Sequence, residues 1–532
     1  MKKCPECRRD YYDDTLSFCL DDGTPLIYGA SANEPVTAIL SEPGAIATGF
    51  SSDEASTAMF RNSSASQIDT SNSIAVLPFV NMSADAENEY FCDGLAEELL
   101  NALSKIDNLK VAARTSAFSF KDKNTDISEI GEKLGVKTIL EGSVRKSSNR
   151  LRITVQLINA SDGYHVWSER YDREMHDIFD VQDEITLAVI AALKLKLFGD
   201  ERSAMLKKGT DNAEAYELYL RGRSLWNKRT FADFTRAIEY FEQAIALDPE
   251  YALAYSGLAD CHSFLGYFEA FSPDEVAPKA KAAVLKALEL DENLAEVQAS
   301  LAMYKEFYEF DRDACENGLL KAIELNANFS TAHYWLCSVF AAQKRFEESR
   351  EQGRIAMELD PLSPIVTGNV ARGFCHARQY EKAIELSLKS LEITPDFFFT
   401  HWVLGVAYGQ TGRLDDAIDN FRKCVSQSGI LALQADLGVA LAMAGQADEA
   451  REIIENFKEQ AKIRYVSPLC MSKIYLGLGE TTQGLEWLEK AYARRAIGLL
   501  WLGTEPVFDS VRSEPVFLDI LRKLNFPDSA FV

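Results

Sequence analysis

The cysteines near the N-terminus are the residues whose type and spacing could do chemistry. Cys4 and Cys7 form a C-P-x-C pair, and Cys19 is followed three residues later by Asp22. A CxxC turn presents two thiolates from one tight loop, and a structural zinc ion takes about four ligands of this kind. We therefore predict a zinc-ribbon-like knuckle over residues 1–28, with these three cysteines as ligands and the aspartate as a candidate fourth.

Two alternatives to this zinc site stay open. Water or a partner side chain could complete the ligand set in place of Asp22, or the motif could be a degenerate ribbon that holds no metal. If zinc is bound, we expect a structural role, because so short a stretch cannot build the pocket and general base of a catalytic site.

Catalytic motifs are missing from the sequence. It has no phosphate-binding G-x-x-x-x-G-K-[ST] loop, no kinase H-R-D and D-F-G pair, no H-E-x-x-H and no G-x-S-x-G. The histidines His262, His333 and His401 recur inside predicted repeat helices. We interpret them as packing or groove residues and not as ligands. We expect a chain that is not an enzyme and has no catalytic residues.

Charge and composition narrow the class of protein further. The 532 residues carry a formal net charge of -25, and so acidic a surface repels polyphosphate, so no direct nucleic-acid partner is expected. No apolar run reaches the roughly eighteen residues of a membrane span. The N-terminus has no secretory h-region and most cysteines are scattered singly, which together indicate a reduced, cytoplasmic protein.

The elements that must position any site change character along the chain. Residues 29–72 are small and polar without hydrophobic periodicity, which predicts a disordered linker. Residues 73–200 then read as strands and helices of a small α/β domain. Its predicted helix "DISEIGEKLGV" has Asp126 or Ser128 near its cap and Gly135 just past its end. Alternating apolar residues in "NRLRITVQLINA" predict a strand with one buried face.

This region resembles a known family. The stretches "SIAVLPFVNMSADAENEYFCDGLAEELLNAL" and "LGVKTILEGSVRKSSNRLRITVQLINASDGYHVWSERYD" are similar to the TolB amino-terminal-like domain of bacterial signalling proteins. The resemblance implies an α/β unit between an N-terminal effector, such as a kinase, a cyclase or a winged-helix DNA binder, and C-terminal tetratricopeptide repeats. Here the knuckle and linker stand in the effector position.

The C-terminal half is repetitive. Pro361 and Pro395 end similar segments one period of about 34 residues apart, and "HWVLGVAYGQTGRLDDAIDNF" carries the tetratricopeptide pattern L-G-x-x-Y…A-x-x-x-F. We predict a mainly α fold: an α-solenoid of about eight repeats over residues 212–497, followed by a C-terminal cap over 498–532.

The concave groove of such a solenoid is the second candidate site. Aligning the repeats places five residues on it: Asp260, Tyr304, Tyr334, Arg372 and Trp402. Aromatic and charged groups of this kind suit a protein or peptide partner, although aromatic residues at helical spacing can equally be core. The sequence thus predicts a scaffold or regulatory adaptor that mediates protein–protein interactions in bacterial signalling. The alternative is a sensory or regulatory subunit of a kinase, cyclase or transcription-control complex.

Overall fold

The computed structural model divides the chain into two units, Met1–Ser66 and Gln67–Val532. It describes the short segments Lys2–Lys3, Asp10–Tyr11 and Ile27–Tyr28, and residues 72–531 except 107, 148–149 and 196–208. The predicted linker and all four candidate zinc ligands therefore lie outside the described residues.

The described part of the N-terminal unit is a small antiparallel sheet. Its strands are β1 (Lys2–Lys3), β2 (Asp10–Tyr11) and β3 (Ile27–Tyr28). β1 is central and pairs with both others, with Lys2 opposite Tyr11 on one side and Tyr28 on the other. In the sequence, Cys4 and Cys7 fall between β1 and β2, whereas Cys19 and Asp22 fall between β2 and β3.

A mixed sheet forms the centre of the α/β domain. Its strands are β4 (Ser73–Val76), β5 (Val80–Asn81), β6 (Lys110–Val111), β7 (Thr138–Ser147), β8 (Arg150–Asn159) and β9 (His165–Glu174). The order is β6-β4-β7-β8-β9, and β5 pairs with β7. β4 runs parallel to β6 and β7, whereas β7, β8 and β9 form an antiparallel meander. The predicted alternation in β8 is confirmed, since Leu151, Ile153, Val155 and Leu157 are all buried.

Within the described part of this domain, four α-helices accompany the sheet. They are α1 (Glu89–Ser104), α2 (Arg114–Phe118), α3 (Ile127–Leu134) and α4 (Ile178–Ala192). In α3 the Asp126 carboxylate accepts a hydrogen bond from the Ser128 backbone N–H at 2.8 Å, and Gly135 ends the helix in the left-handed region at φ 63°. Both ends of this helix are therefore set by residues identified in the sequence.

Between residues 213 and 493, a range that the structure describes throughout, sixteen α-helices follow as eight consecutive packed pairs. They are α5 (Ala213–Trp226), α6 (Phe231–Leu247), α7 (Ala252–Tyr267), α8 (Pro273–Leu290), α9 (Ala295–Tyr304), α10 (Arg312–Leu325), α11 (Ser330–Ala342), α12 (Phe346–Leu359), α13 (Pro364–His376), α14 (Tyr380–Ile393), α15 (Phe398–Gln410), α16 (Leu414–Ser428), α17 (Gln434–Met443), α18 (Ala447–Gln460), α19 (Pro468–Gly477) and α20 (Thr481–Ala493). A π-helical turn, Lys305–Glu309, extends α9. The pairs stack into an α-solenoid.

Small residues set the spacing inside these pairs. A Cβ atom on Gly405 of α15 would lie 2.7 Å from the Phe421 ring of α16, and one on Gly222 of α5 would lie 2.6 Å from the Phe241 ring of α6. The glycine pattern in the sequence thus marks the points where a ring fills the space beside a helix backbone.

The C-terminal segment does more than cover the last pair. It contains the 3₁₀ turns Ile497–Trp501 and Pro506–Val511 and helix α21 (Pro515–Lys523), which packs on α20. Arg312, at the start of α10, donates a hydrogen bond to the Leu524 carbonyl oxygen at 2.9 Å. This segment therefore also contacts the third pair.

The α/β domain packs directly on the solenoid through a set of contacts that we call the junction, centred on Glu97, Ser116, Asn328 and Asp360. Glu97 on α1 forms ion pairs with Arg114 and with Arg223 of α5. Asp360 accepts hydrogen bonds from the backbone N–H of Ser116 at 2.8 Å and from its hydroxyl at 2.5 Å. The Asn328 side-chain oxygen accepts from the Val111 N–H on β6 at 3.1 Å. Loops between repeat pairs thus hold the edge of the sheet.

Candidate functional site

Two adjoining cavities lie between the first helices of the repeat pairs and the C-terminal segment. The aromatic cavity, about 80 Å³, is lined by rings together with a few charged groups, among them Phe264, Trp335, Arg229, Glu306, Arg372 and Trp501. The acidic cavity, about 140 Å³, is lined by residues including Glu269, Trp402, Asp436, Cys470, Lys473 and Glu505. Both cavities share a wall made of Tyr267, Phe268, Arg372, Phe398, Phe399 and Trp501.

Arg372 forms the centre of this shared wall. Its side chain donates hydrogen bonds to three neutral oxygens: the Tyr267 hydroxyl at 2.9 Å, the Ser338 hydroxyl at 3.1 Å and the Asn369 amide oxygen at 3.0 Å. The guanidinium carbon lies 4.0 Å from the centre of the Trp501 ring. Arg372 is only 5% exposed, yet no carboxylate in the described part of the chain lies within 4.0 Å of it.

Arg229 contributes a second guanidinium to the aromatic cavity. Its guanidinium carbon lies 3.6 Å from the Trp226 ring centre and 5.4 Å from that of Phe264. Burial lowers the pKa of Arg229, and the charge of Arg223 adds to this effect, whereas Tyr334 and Asp260 oppose it. The cavity therefore contains positive charge that nearby protein groups only partly balance.

Glu306 brings one acid to the same cavity. It is 3% exposed, and its Oε2 atom has no hydrogen-bond partner among the described residues. Burial raises the pKa of this carboxyl, and Arg312 only partly offsets the effect. A protonated Glu306 can donate a hydrogen bond into the cavity.

The acidic cavity combines an ion-pair cluster with an acid that has no cation. Lys473 pairs with Asp436 at 2.8 Å and with Glu505 at 2.6 Å, and the Trp402 indole N–H donates to Asp436 at 2.8 Å. Glu269 accepts a weak hydrogen bond from the Cys470 thiol at 3.7 Å, and the Ser467 hydroxyl also faces it. Burial raises the pKa of Glu269 to about 7.

The structure brings three of the five predicted groove residues together. Tyr334 and Arg372 line the aromatic cavity, and Arg372 and Trp402 line the acidic one. Asp260 is buried, and burial raises its pKa to about 6. Tyr304 lies outside both cavities, where Lys281 sits 5.8 Å from its ring centre.

Several residues of these cavities were missed by reasoning from the sequence. Glu269 follows the end of α7, Glu306 lies in the π-helical turn, and Trp501 belongs to the segment predicted as a cap. Their contacts join distant pairs: Tyr267 and Arg372 are 105 residues apart, and Glu269 and Cys470 are 201 apart. The repeat pattern contains no signal for these contacts.

The repeat histidines have structural partners. The His333 Nδ1 atom lies 2.7 Å from the Gln352 side-chain oxygen, and the His401 Nδ1 atom lies 2.9 Å from the Asn420 oxygen. In both cases the other ring nitrogen faces a backbone carbonyl. This repeated geometry ties the two helices of a pair together.

In the part of the chain that the structure describes, no group of three or more His, Cys, Asp or Glu side chains is arranged to hold a metal ion. No helix there has the length and apolar character needed to cross a membrane.

Family comparisons place known modules on both halves of the chain. The model of the HilA/YgeH-like transcriptional regulator, second domain, matches residues 70–188, the region that resembles the TolB domain in sequence. Tetratricopeptide-repeat models match residues 219–262, 400–428 and 431–456. The chain therefore contains tetratricopeptide repeats and a HilA-like regulator domain, in a mainly α architecture.

Two curated proteins are similar over parts of the chain. One, named "Putative adenylate cyclase 3", from Rhizobium meliloti (strain 1021), is 39% identical over 212 residues, which are 40% of this chain and 36% of that protein. The other is interferon-induced protein with tetratricopeptide repeats 2 from Mus musculus, 22% identical over 49% of this chain and 56% of that protein. The chain thus spans less than two thirds of either relative.

Solved structures with similar helical repeats include the human IFIT1 dimer with m7Gppp-AAAA, at 14% identity and a TM-score of 0.39, covering 59% of this chain and 77% of that one. YrrB, described as a TPR protein with an unusual peptide-binding site, is 22% identical with a TM-score of 0.24, covering 35% of this chain and 89% of that one.

Proposed function

We propose that the chain is a non-enzymatic, cytoplasmic adaptor in bacterial signalling whose solenoid binds a protein or peptide partner. The observation that carries this proposal is the pair of cavities at the inner wall of a tetratricopeptide solenoid, where aromatic rings surround Arg229 and Arg372, neither of which has a carboxylate within 4.0 Å among the described residues. Such cavities offer apolar contact area together with a few fixed polar groups, which is the composition of a recognition site.

The junction gives this adaptor a way to link recognition to the α/β domain. Asp360 and Asn328 lie in loops between repeat pairs and bond directly to residues of the α/β domain. A change in the relative positions of neighbouring repeats would therefore act on the sheet edge at β6.

Capture from native lysate with the full chain tests the adaptor function. Trp402→Ala removes a ring that lines the acidic cavity. The control, Leu388→Ala, changes a side chain of α14 that is 46% exposed. We expect the first variant to lose a specific partner that the control and the parent retain, with circular dichroism showing all three folded. Identical captured proteins in identical amounts would contradict the proposal.

A second candidate function is a regulatory subunit of a kinase, cyclase or transcription-control complex. The HilA-like match and the relative named as an adenylate cyclase favour it. Its test is the identity of the retained partner: a cyclase, a kinase or a DNA-binding protein whose activity changes when the purified chain is added. A partner with none of these activities would favour the plain adaptor.

We further propose that the N-terminal unit binds one structural zinc ion through Cys4, Cys7 and Cys19, with Asp22 as the candidate fourth ligand. The sheet of β1, β2 and β3 supports this, because the candidate ligands fall in the two connections between its strands. Zinc content measured by mass spectrometry should be one ion per chain and should fall to zero in Cys4→Ser/Cys7→Ser. Equal zinc content in both proteins would refute the site.

A further inference from the structure

The buried charge of Arg372 has no carboxylate within 4.0 Å among the described residues, and Glu505 acts on it only from beyond that distance. Three of the five N–H donors of a guanidinium are accounted for by Tyr267, Ser338 and Asn369, and all three acceptors are neutral. Charged side chains this deeply buried are rarely found without a partner of opposite charge. Arg372 lines the aromatic cavity, so an anion bound there could accept hydrogen bonds from the remaining donors.

Arg229 strengthens the case for an anion. It lines the same cavity, and no carboxylate in the described residues lies within 4.0 Å of its guanidinium either. The unpartnered Oε2 of Glu306 lines the cavity as well, and in the protonated form it is a donor and not a competing anion. The polar groups of this cavity thus converge on one kind of ligand.

The size of the cavity limits that ligand to a small group. About 80 Å³ of free space corresponds to two or three water molecules at roughly 30 Å³ each. A carboxylate with one or two methylene groups fits this volume, and the rings of Phe264, Trp335 and Trp501 would surround the methylenes.

We propose that the aromatic cavity binds the side-chain carboxylate of an Asp or Glu residue in a peptide held by the solenoid, with Arg372 and Arg229 as its counter-charges. The proposal rests on the adaptor function above and names the chemistry of its partner. The acidic cavity lies on the other side of the wall that contains Arg372 and Trp501. It binds a neighbouring apolar or aromatic side chain of the same peptide against Phe399 and Trp402.

Three peptide libraries bound to the full chain test this directly. Each consists of fluorescein-labelled octapeptides with an amidated C-terminus, a fixed central Phe-Glu, Phe-Gln or Phe-Lys pair, and random residues elsewhere. Fluorescence anisotropy should show the Phe-Glu library binding at least about ten-fold more tightly than the Phe-Gln library, consistent with a charge-assisted pair. Because these libraries are compared on the unmodified protein, the result does not depend on any variant folding.

Two variants locate the binding. Arg372→Gln should abolish the preference for the Phe-Glu library over the Phe-Gln library, and Arg229→Gln should reduce this preference to a smaller extent. The control Arg354→Gln removes an exposed arginine paired with Glu351 and Glu358 on α12, and it should change nothing.

The other outcomes overturn the inference and separate it from the adaptor function. Equal binding of all three libraries that is weakened by Trp402→Ala would show peptide recognition without a carboxylate, so the adaptor function would stand alone. Preference for Phe-Lys would assign a cation to the site. Binding of a 5′-triphosphate oligonucleotide that is lost in Arg372→Gln, without binding of any library, would replace the peptide by a nucleic acid.

Discussion

The junction and the aromatic cavity both contain buried charged side chains, but they differ in whether those side chains form ion pairs. At the junction Glu97 lies 2.7 Å from Arg114 and 3.3 Å from Arg223, and Asn227 adds a hydrogen bond. In the cavity, Arg372 bonds only to neutral groups and Glu306 has an oxygen with no partner among the described residues.

This contrast distinguishes charged groups of the junction, which stabilise the fold, from charged groups of the aromatic cavity, which are available to bind a ligand. Burial alone would raise the pKa of Glu97, but the two guanidinium groups outweigh burial and hold its pKa below the usual range. For Glu306, burial prevails and the pKa rises. Hence the protein stabilises the charged form of the first acid and the neutral form of the second.

Removing the junction acid should have the largest effect on stability. Glu97→Gln leaves Arg114 and Arg223 facing each other without a counter-ion, and breaking a buried pair in this way costs about 3–5 kcal/mol. Urea denaturation at pH 7 measures the change in the free energy of unfolding. The matched control is Glu385→Gln, which breaks an exposed pair with Lys389 and should leave the free energy of unfolding almost unchanged. Equal effects of the two substitutions would remove the distinction between the regions.

The pH dependence of Glu269 should give the next largest effect. Its pKa of about 7 lies above the value of about 4.3 in an unfolded chain, so the folded state binds more protons between these values. Stability from this group is therefore highest below about pH 4 and falls as the pH rises toward 7.

Glu269→Gln tests this dependence, because the amide cannot ionise. Relative to the parent, the variant should gain stability between pH 5 and pH 8, by up to roughly 3 kcal/mol for a shift of this size. The groups that face Glu269 are Ser467, Cys470, Lys473, Asp436 and Tyr465. Tyr465→Phe is the control that leaves all carboxylates in place. A difference between parent and variant that is independent of pH would show that Glu269 ionises normally.

Much of this contrast could not be foreseen from the sequence, although the elements could. Tetratricopeptide periodicity, the Gly405 and Phe421 pattern and the caps of α3 depend on neighbours within one or two repeats, so local patterns reveal them. The cavities depend on the curvature of the whole solenoid, which brings Glu269 to Cys470. That curvature is the sum of small rotations between successive repeats, and no single segment specifies it.

A smaller effect on stability is expected at the contact between Ser116 and Asp360, where the donors to the acid are neutral groups. The Ser116 hydroxyl donates to Asp360 and accepts from the Leu362 N–H at 2.8 Å. Ser116→Ala leaves the Leu362 N–H without its acceptor and removes the hydroxyl that donates to the buried Asp360 carboxylate. The free energy of unfolding should fall by about 1–2 kcal/mol. Thermal unfolding followed by circular dichroism measures it, with the exposed Ser426→Ala as the control. A change below that of the control would show that the hydroxyl contributes nothing to the junction.

The smallest effect on stability is expected for a Glu→Gln substitution in the aromatic cavity. Glu306→Gln replaces an acid whose pKa burial raises by a neutral amide of similar shape, so the free energy of unfolding at pH 7 should stay within about 1 kcal/mol of the parent or increase. Set beside Glu97→Gln, this is the same chemical change at two buried acids with different partners. A loss as large as that at the junction would mean that Glu306 is ionised and held by Arg312. In that case, only the two arginines would remain as the polar groups available to a ligand.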